Sequence, residues 1–478
     1  MTSESTRSHP CSKEVMEMKG VKGDRTILNW RRMMVIIAIS FGVGMLTASH
    51  RAILAQLGQI NTRLLSATSS RNGTASRPQE NSPLSNSETL ASTPSLESDR
   101  PAPAGMEAPN VAMGGGDVRL VVMSDINGRY GDTTYGQAVL TAVQLIPAWQ
   151  PDLVLCVGGM VGGQLLSLTA TELEAMWAGF DRQIFQPIRQ AGLPMAIAIG
   201  KPDGSNLILA EDAETIPNGV VPGSYVFAQE RNAAKTYWTN PERDLGVELV
   251  DTRQFPFQYS FVHNDIFYLV WDASSSDLSD EALAWAEQTL ASAAAQQAKV
   301  RISLSHYPLY AVAQGRDRPS EYLSRGEEVQ ALLERYDVHT HISGHHQAYF
   351  PGKVGELELL HSGSLGIGPR SWLGTDAPPQ RTLTVMDIFF DGLPEPDPAD
   401  GEGDTDDQAR SPNTAEDSAE TRGAIATLYT TYDMATGAVI DQAELPRVIA
   451  SPTGLVLRQD VDLEDLTYED NQRYIRSW

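Results

Sequence analysis

Three apolar runs, VRLVVMSD (118–125), PDLVLCVGG (151–159) and PMAIAIG (194–200), each stop abruptly at polar or glycine residues. Short apolar runs bounded by turn formers read as strands buried on both faces. Stretches of helical period separate them. YGQAVLTAVQLIPAW sets Val139, Val143 and Ile146 on one face, and TELEAMWAGFDRQIFQPIRQAG follows the second run. A βαβαβ alternation of this kind restricts the chain to a layered α/β domain, with its chemistry gathered at the carboxyl ends of the strands.

The pattern persists downstream. FQYSFVHNDIFYLVWD reads as a hairpin turning near His263-Asn264-Asp265, and Ser279 is placed to cap a helix through LAWAEQTLASAAAQQ. Strand VRISLSHYPLY, helix EEVQALLERY and strands VHTHISGHH, ELELLHSGS and RTLTVMDIFF follow, whereas residues 201–250 show only loose patterning. ATLYTTYDMATGAVIDQAEL closes the domain as a hairpin turning near Thr436-Gly437. Before it, residues 391–422 carry eleven acids against two arginines, the composition of a solvated, disordered insertion.

The first 116 residues are of another kind. Residues 1–32 form a polar tail with seven Lys/Arg, and residues 33–49 (MMVIIAISFGVGMLTAS) contain no charge. Seventeen residues is the short limit for a bilayer span and long for the core of a signal peptide, so the run reads as an uncleaved anchor, with a cleaved signal as the alternative. Basic residues ahead of the span place the amino terminus in the cytoplasm and the large domain outside, periplasmic or extracellular, on a single-pass membrane protein. Residues 50–116 are rich in Ser, Thr and Pro and read as a flexible tether. The domain is expected over 117–450, with 451–478 as a tail. The two cysteines, Cys11 and Cys156, fall in unlike segments and neither require nor exclude an oxidising compartment. A formal net charge of −25 argues against nucleic acid as a partner.

Five strand ends carry polar punctuation: Ser124-Asp125-Ile126-Asn127, Gly158-Gly159, Gly200-Lys201-Pro202-Asp203, Ser305-His306 and Gly344-His345-His346-Gln347. Each is weak alone, but their order and spacing resemble the calcineurin-like metallophosphoesterases, in the purple-acid-phosphatase-like subgroup. That family's signature runs Asp-x-His, Gly-Asp-x-x-Asp or Gly-Asp-Met-Val-x-Gly-Gln, Gly-Asn-His-Asp/Glu, a lone His, then Gly-His-x-His. VLCVGGMVGGQ, SHYPLYAVAQGR and SGHHQAYFPG carry the likeness, which covers about residues 118–445. It implies a four-layer αββα sandwich and a two-metal clamp that polarises a phosphoryl group and generates a hydroxide nucleophile.

Carried over position by position, the resemblance makes Asp125, His306 and His345 retained metal ligands. Asn127 and Gln347 replace two histidines and still offer a carbonyl oxygen, a weak ligand for a hard cation. Gly159 stands where the bridging aspartate belongs, Lys201 where a ligating asparagine belongs, and Pro202 where the family has its proton-donating histidine, with Asp203 kept beside it. An intact dinuclear site is therefore not expected. One divalent ion (Zn, Mn or Fe) on His306, His345 and Asp125 is conceivable. The competing expectation is a metal-free site in which the Lys201 ammonium pairs with Asp125 or Asp203. His346 is expected to contact backbone or ligand, His361 to be structural, and His339 and His341 to sit in the core or at an edge.

Three functions follow from these residues. The first is a catalytically impaired domain that binds a phosphorylated ligand, and the second a hydrolase of phosphoric esters with an altered, mononuclear site. The third is a structural envelope protein that meets other envelope proteins.

Overall fold

The computed structural model describes residues 116–217, 219–393 and 425–470. The polar tail, the apolar run 33–49, the tether and most of the acidic insertion lie outside the described residues. Among the described residues, no helix is long and apolar enough to cross a membrane.

The three opening apolar runs are parallel strands β1 (Val118–Met123), β2 (Leu153–Cys156) and β3 (Met195–Ile197). Their apolar side chains are buried on both faces of the sheet, which is why the sequence reads as continuous rather than alternating. Helix α1 (Gln137–Leu145) and α2 (Ala170–Phe180) make the crossovers. Val139, Val143 and Ile146 are buried, and Thr169 begins α2 through a reciprocal capping box with Glu172. Helix α3 (Gln186–Gln190) leads to β3, and a single turn, α4 (Lys201–Gly204), follows it.

The segment 201–250, loose in sequence, contains a further helix, α5 (Ala228–Trp238). Its mean composition is polar, and a few large residues seat it: Trp238 stacks edge-on against Phe180, Phe185 and Tyr237. Strands β4 (Glu248–Gln254), β5 (Gln258–His263) and β6 (Ile266–Val270) come next. The β5–β6 turn at Asn264-Asp265 has positive φ at both residues, as a tight hairpin requires. Helix α6 (Asp280–Leu290) is capped by Ser279, whose hydroxyl accepts from the Ala282 N–H at 3.2 Å. Then come α7 (Ala293–Gln297), β7 (Val300–Leu304), α8 (Gly326–Arg335), β8 (Thr340–Gln347), β9 (Phe350–Val354), β10 (Leu357–Gly363), β11 (Thr382–Phe389) and β12 (Ala426–Asp433).

The last two strands, β13 (Val448–Ser451) and β14 (Gly454–Arg458), form a hairpin that pairs with β9. The domain therefore continues past residue 450, where the sequence predicts a tail. Among the described residues the strands fall into two sheets, ordered β12-β11-β1-β2-β3 in one and, in the other, β13-β14-β9-β10-β8-β7-β6-β5-β4. The acidic insertion joins β11 to β12. Since Val118 pairs with Ile388, it leaves the sheet beside the start of β1, the end opposite Asp125. The two sheets meet at the carboxyl end of β1. There Ser124 bridges to Ser364, and the Asp125 carbonyl accepts from the Gly366 N–H at 2.9 Å.

Candidate functional site

Asp125, Gly159, Lys201 and His306 follow strands β1, β2, β3 and β7, and His345 lies near the end of β8. Asp125, His345 and Gln347 all adopt positive φ (47°, 61° and 58°), a conformation costly for residues other than glycine. Such strain persists where the surroundings dictate it, and three of these positions carry it.

The retained ligands are largely engaged by the protein itself. Asp125 is buried, and its Oδ2 accepts from the Ser124 hydroxyl at 2.7 Å and the His345 N–H at 2.9 Å. The His345 ring stacks on Tyr307 with centroids 3.9 Å apart and lies 5.3 Å from the His306 ring. Its Nε2 is 3.0 Å from Glu321 Oε2, so Nε2 carries the proton and donates to the carboxylate. Burial, then the neighbouring His306, hold its basicity well below the usual range. His306 is fully buried with Nδ1 2.9 Å from the Val157 carbonyl. That contact protonates Nδ1 and leaves Nε2 as a lone-pair acceptor, which has no partner.

The weaker candidates also make bonds within the protein. Asn127 donates to the Gly128 carbonyl at 3.0 Å, and Gln347 Oε1 accepts from Arg370 Nε at 3.3 Å. His346 contacts backbone: Nδ1 accepts from the Val312 N–H and Nε2 donates to the Glu321 carbonyl. His341 lies between the hydroxyls of Ser303 and Ser305, and His361 is buried against the Tyr310 carbonyl.

Gly159 is more than a missing side chain. Its φ is +69°, and a Cβ there would lie 2.7 Å from the Asp125 Cα and 3.1 Å from Asn127 Oδ1. The loop is drawn against β1 by the Asp125 N–H to Gly158 carbonyl bond (2.8 Å) and the Asn127 N–H to Gly159 carbonyl bond (2.9 Å). The space a Cβ would need at residue 159 is filled by the main chain of Asp125.

Lys201 does not have Asp203 as its counter-ion. Both Asp203 oxygens are taken by main chain: Oδ1 accepts from Met160 (2.7 Å) and Val161 (2.8 Å), Oδ2 from Gly159 (2.9 Å) and Gly200 (2.8 Å). The carboxylate acting on the half-buried Lys201 ammonium is Glu321. Burial lowers the lysine's basicity, Glu321 raises it, and Arg316 and Arg318 lower it again. Glu321 itself pairs with Arg316, with Arg318 at 3.8 Å and with His345. Arg370 stands close enough to feel Arg316, Arg318, Glu321 and Asp125. Arg316 ends the stretch SHYPLYAVAQGR, but Glu321, Arg318 and Arg370 do not stand out in the sequence by motif. The signal available is the charged run Gly-Arg-Asp-Arg-Pro-Ser-Glu (315–321), only nine residues beyond His306.

A dinuclear centre does not fit this donor set. Among the described residues, no group of three or more His, Cys, Asp or Glu is arranged to hold a metal ion. His306 Nε2 is buried without a partner, His345 Nε2 is occupied by Glu321, and Lys201 brings an ammonium where the resemblance expects a ligand.

Beside the site, Glu230 Oε1 accepts from the Gln164 and Leu165 N–H groups, and Oε2 is buried without a partner. Burial pushes this carboxyl from its ordinary 4.5 up to about 7. A carboxyl raised on folding holds its proton better in the native state. Its effect therefore makes the fold most stable below the ordinary value, and stability falls as pH climbs toward 7. Replacing it by glutamine, Glu230→Gln, is expected to flatten the decline in thermal stability between pH 5 and pH 8 by up to about 3 kcal/mol. A wild-type profile parallel to that of the variant would show that Glu230 does not titrate in this range.

A family model, calcineurin-like phosphoesterase, matches residues 118–349. No curated protein sequence matches the chain. Among solved structures, the chain is similar to a purple acid phosphatase from yellow lupin (Lupinus luteus) seeds, at 15% identity and a TM-score of 0.43. That match covers 68% of this chain and 52% of the other, about half its length. A dimetal phosphatase from Danio rerio matches at 11% identity and TM-score 0.39, covering 58% of this chain and 94% of its own. GAP50, the anchor in the inner membrane complex of Plasmodium, matches at 10% identity and TM-score 0.39, covering 75% and 94%.

Proposed function

Residues 118–349 are a calcineurin-like phosphoesterase domain, and from that premise we propose that this chain uses the fold to bind a phosphorylated ligand without hydrolysing it. The observation that supports the reading is the closure of main chain at Gly159, where a Cβ would lie 2.7 Å from the Asp125 Cα. Two-metal hydrolysis needs an anion shared by both ions and a group that protonates the leaving oxygen. The first has no room, and Pro202 cannot supply the second. The same proposal holds the domain outside a membrane on the anchor at 33–49, facing ligands or envelope proteins there.

A second reading, a mononuclear metal-dependent hydrolase, has one observation in its favour: the orphaned Nε2 of the buried His306. Metal content and turnover separate the two. The detergent-solubilised full chain, incubated with Mn²⁺ and Zn²⁺ and desalted, is expected to retain no more metal than its His306→Ala variant. It is also expected to hydrolyse p-nitrophenyl phosphate no faster than that variant. One ion per chain together with turnover, both lost in His306→Ala, would replace the binding reading with the mononuclear one.

A further inference from the structure

The positive charge that metal ions would bring to such a site is supplied here by side chains. Arg316 and Arg318 act on both Lys201 and Arg370, and the carboxylates among these cations are Glu321 and Asp125. These four cations outnumber Glu321, Asp125 and Asp317, the acid between the two arginines in the sequence, on a chain whose net charge is −25. Such a local reversal of sign concentrates anions from solution. One buried nitrogen donor at this place also lacks a partner, Arg316 Nε. An N–H donor such as Arg316 Nε is costly to bury unpaired, so its state without a partner points to one that arrives from outside. Arg318 is 72% exposed and gives the cluster an open side.

Glu321 explains how the cluster is kept together in the meantime. Its carboxylate binds Arg316, approaches Arg318 at 3.8 Å and accepts from His345 at 3.0 Å. It occupies the place of an oxyanion among those donors.

We infer that Lys201, Arg316, Arg318 and Arg370 form a metal-free cradle for a dianionic tetrahedral oxyanion, as free phosphate or as the end group of a phosphomonoester, in competition with the Glu321 carboxylate. The inference rests on the non-hydrolytic reading above and adds to it the donors and the charge of the ligand. Guanidinium groups suit the task because their N–H pairs match phosphate oxygens in parallel. A phosphodiester, with a single charge and fewer free oxygens, offers the guanidinium groups less and binds less well.

The test is calorimetric titration of the full chain with inorganic phosphate and with phenyl phosphate, in EDTA. Binding is expected for the wild type, about tenfold or more weaker for Arg316→Gln and a few-fold weaker for the exposed Arg318→Gln. Glu321→Gln is expected to bind more tightly, because its competing carboxylate is gone. Damage to the fold cannot produce that gain, so the opposite signs guard against a merely structural effect. Binding of phenyl phosphate assigns the cradle to an ester, and binding of inorganic phosphate alone assigns it to the free ion. A chelated, folded chain that binds neither overturns the inference and leaves the absence of hydrolysis standing. Binding that appears only after metal loading overturns the inference as well, and turnover of the phenyl ester in that state overturns the non-hydrolytic reading with it. Unchanged affinity in both arginine variants places the anion elsewhere and overturns the assignment.

Discussion

Restoring the family's bridging carboxylate, Gly159→Asp, destabilises the protein by about 3 kcal/mol or more and recruits no metal ion. The cost has three parts. The backbone at 159 has φ +69°, which a side chain tolerates at roughly 1–2 kcal/mol. The added Cβ meets the Asp125 Cα at 2.7 Å and the Asp125 nitrogen at 3.1 Å, so β1 and the loop must part and loosen the bonds at 2.8 and 2.9 Å that hold them. The new carboxylate then enters a space that already holds the Asp125 carboxylate, and like charges at close range repel. Chemical denaturation with metal analysis on the same samples checks the result. A stable variant that holds an ion would mean that the loop opens readily and that the site was disarmed by one side chain alone.

Much of the fold is legible in the sequence, because a strand buried on both faces writes itself as an unbroken apolar run. VRLVVM, LVLC and MAI are such runs, and they are the three parallel strands around which the sheet is built. Helix α5 is missed because its sequence, AQERNAAKTYW, is polar and is held by a few aromatic contacts. Its buried face is Glu230, Arg231, Ala234 and Trp238, two of them charged, so no apolar period marks it. The hairpin β13–β14 is missed because VIAS and GLVLR are short and lie at the margin of the domain.

The site divides in the same way. Residues at strand ends are found by position, so Asp125, Gly159, Lys201, His306 and His345 are all legible, and the structure gathers them. What they touch is not legible, because it comes from loops remote in sequence. The partners expected for Lys201 are the carboxylates nearest in the motifs. Glu321, from the loop before α8, acts on it instead, while Asp203 is spent on four main-chain N–H groups. Distance along the chain carries no information about such a meeting.

Asp203 leads to the other large effect. Asp203→Asn is expected to cost about 4 kcal/mol or more and to free the loop 158–163 in hydrogen exchange. The aspartate is almost fully buried and has two N–H donors on each oxygen. Asparagine keeps one oxygen and turns an NH₂ group toward the other two donors, so a pair of attractions becomes a pair of repulsions. Alanine leaves all four N–H groups without a partner at about 1–3 kcal/mol each, less whatever water recovers by entering. Asparagine should therefore be nearly as damaging as alanine, although it differs from aspartate by a single heavy atom. Burial pushes the Asp203 carboxyl up to about 7 while the four N–H groups pull it down. A neutral acid, with one oxygen turned donor, would clash with the same N–H pair that defeats asparagine. Denaturation of the two variants beside wild type separates the explanations. A loss near 1 kcal/mol in Asp203→Asn would show that the loop holds its own shape. A loss matching that of alanine would show that one buried carboxylate, kept from the family's third motif, holds the Gly159 loop closed on β1.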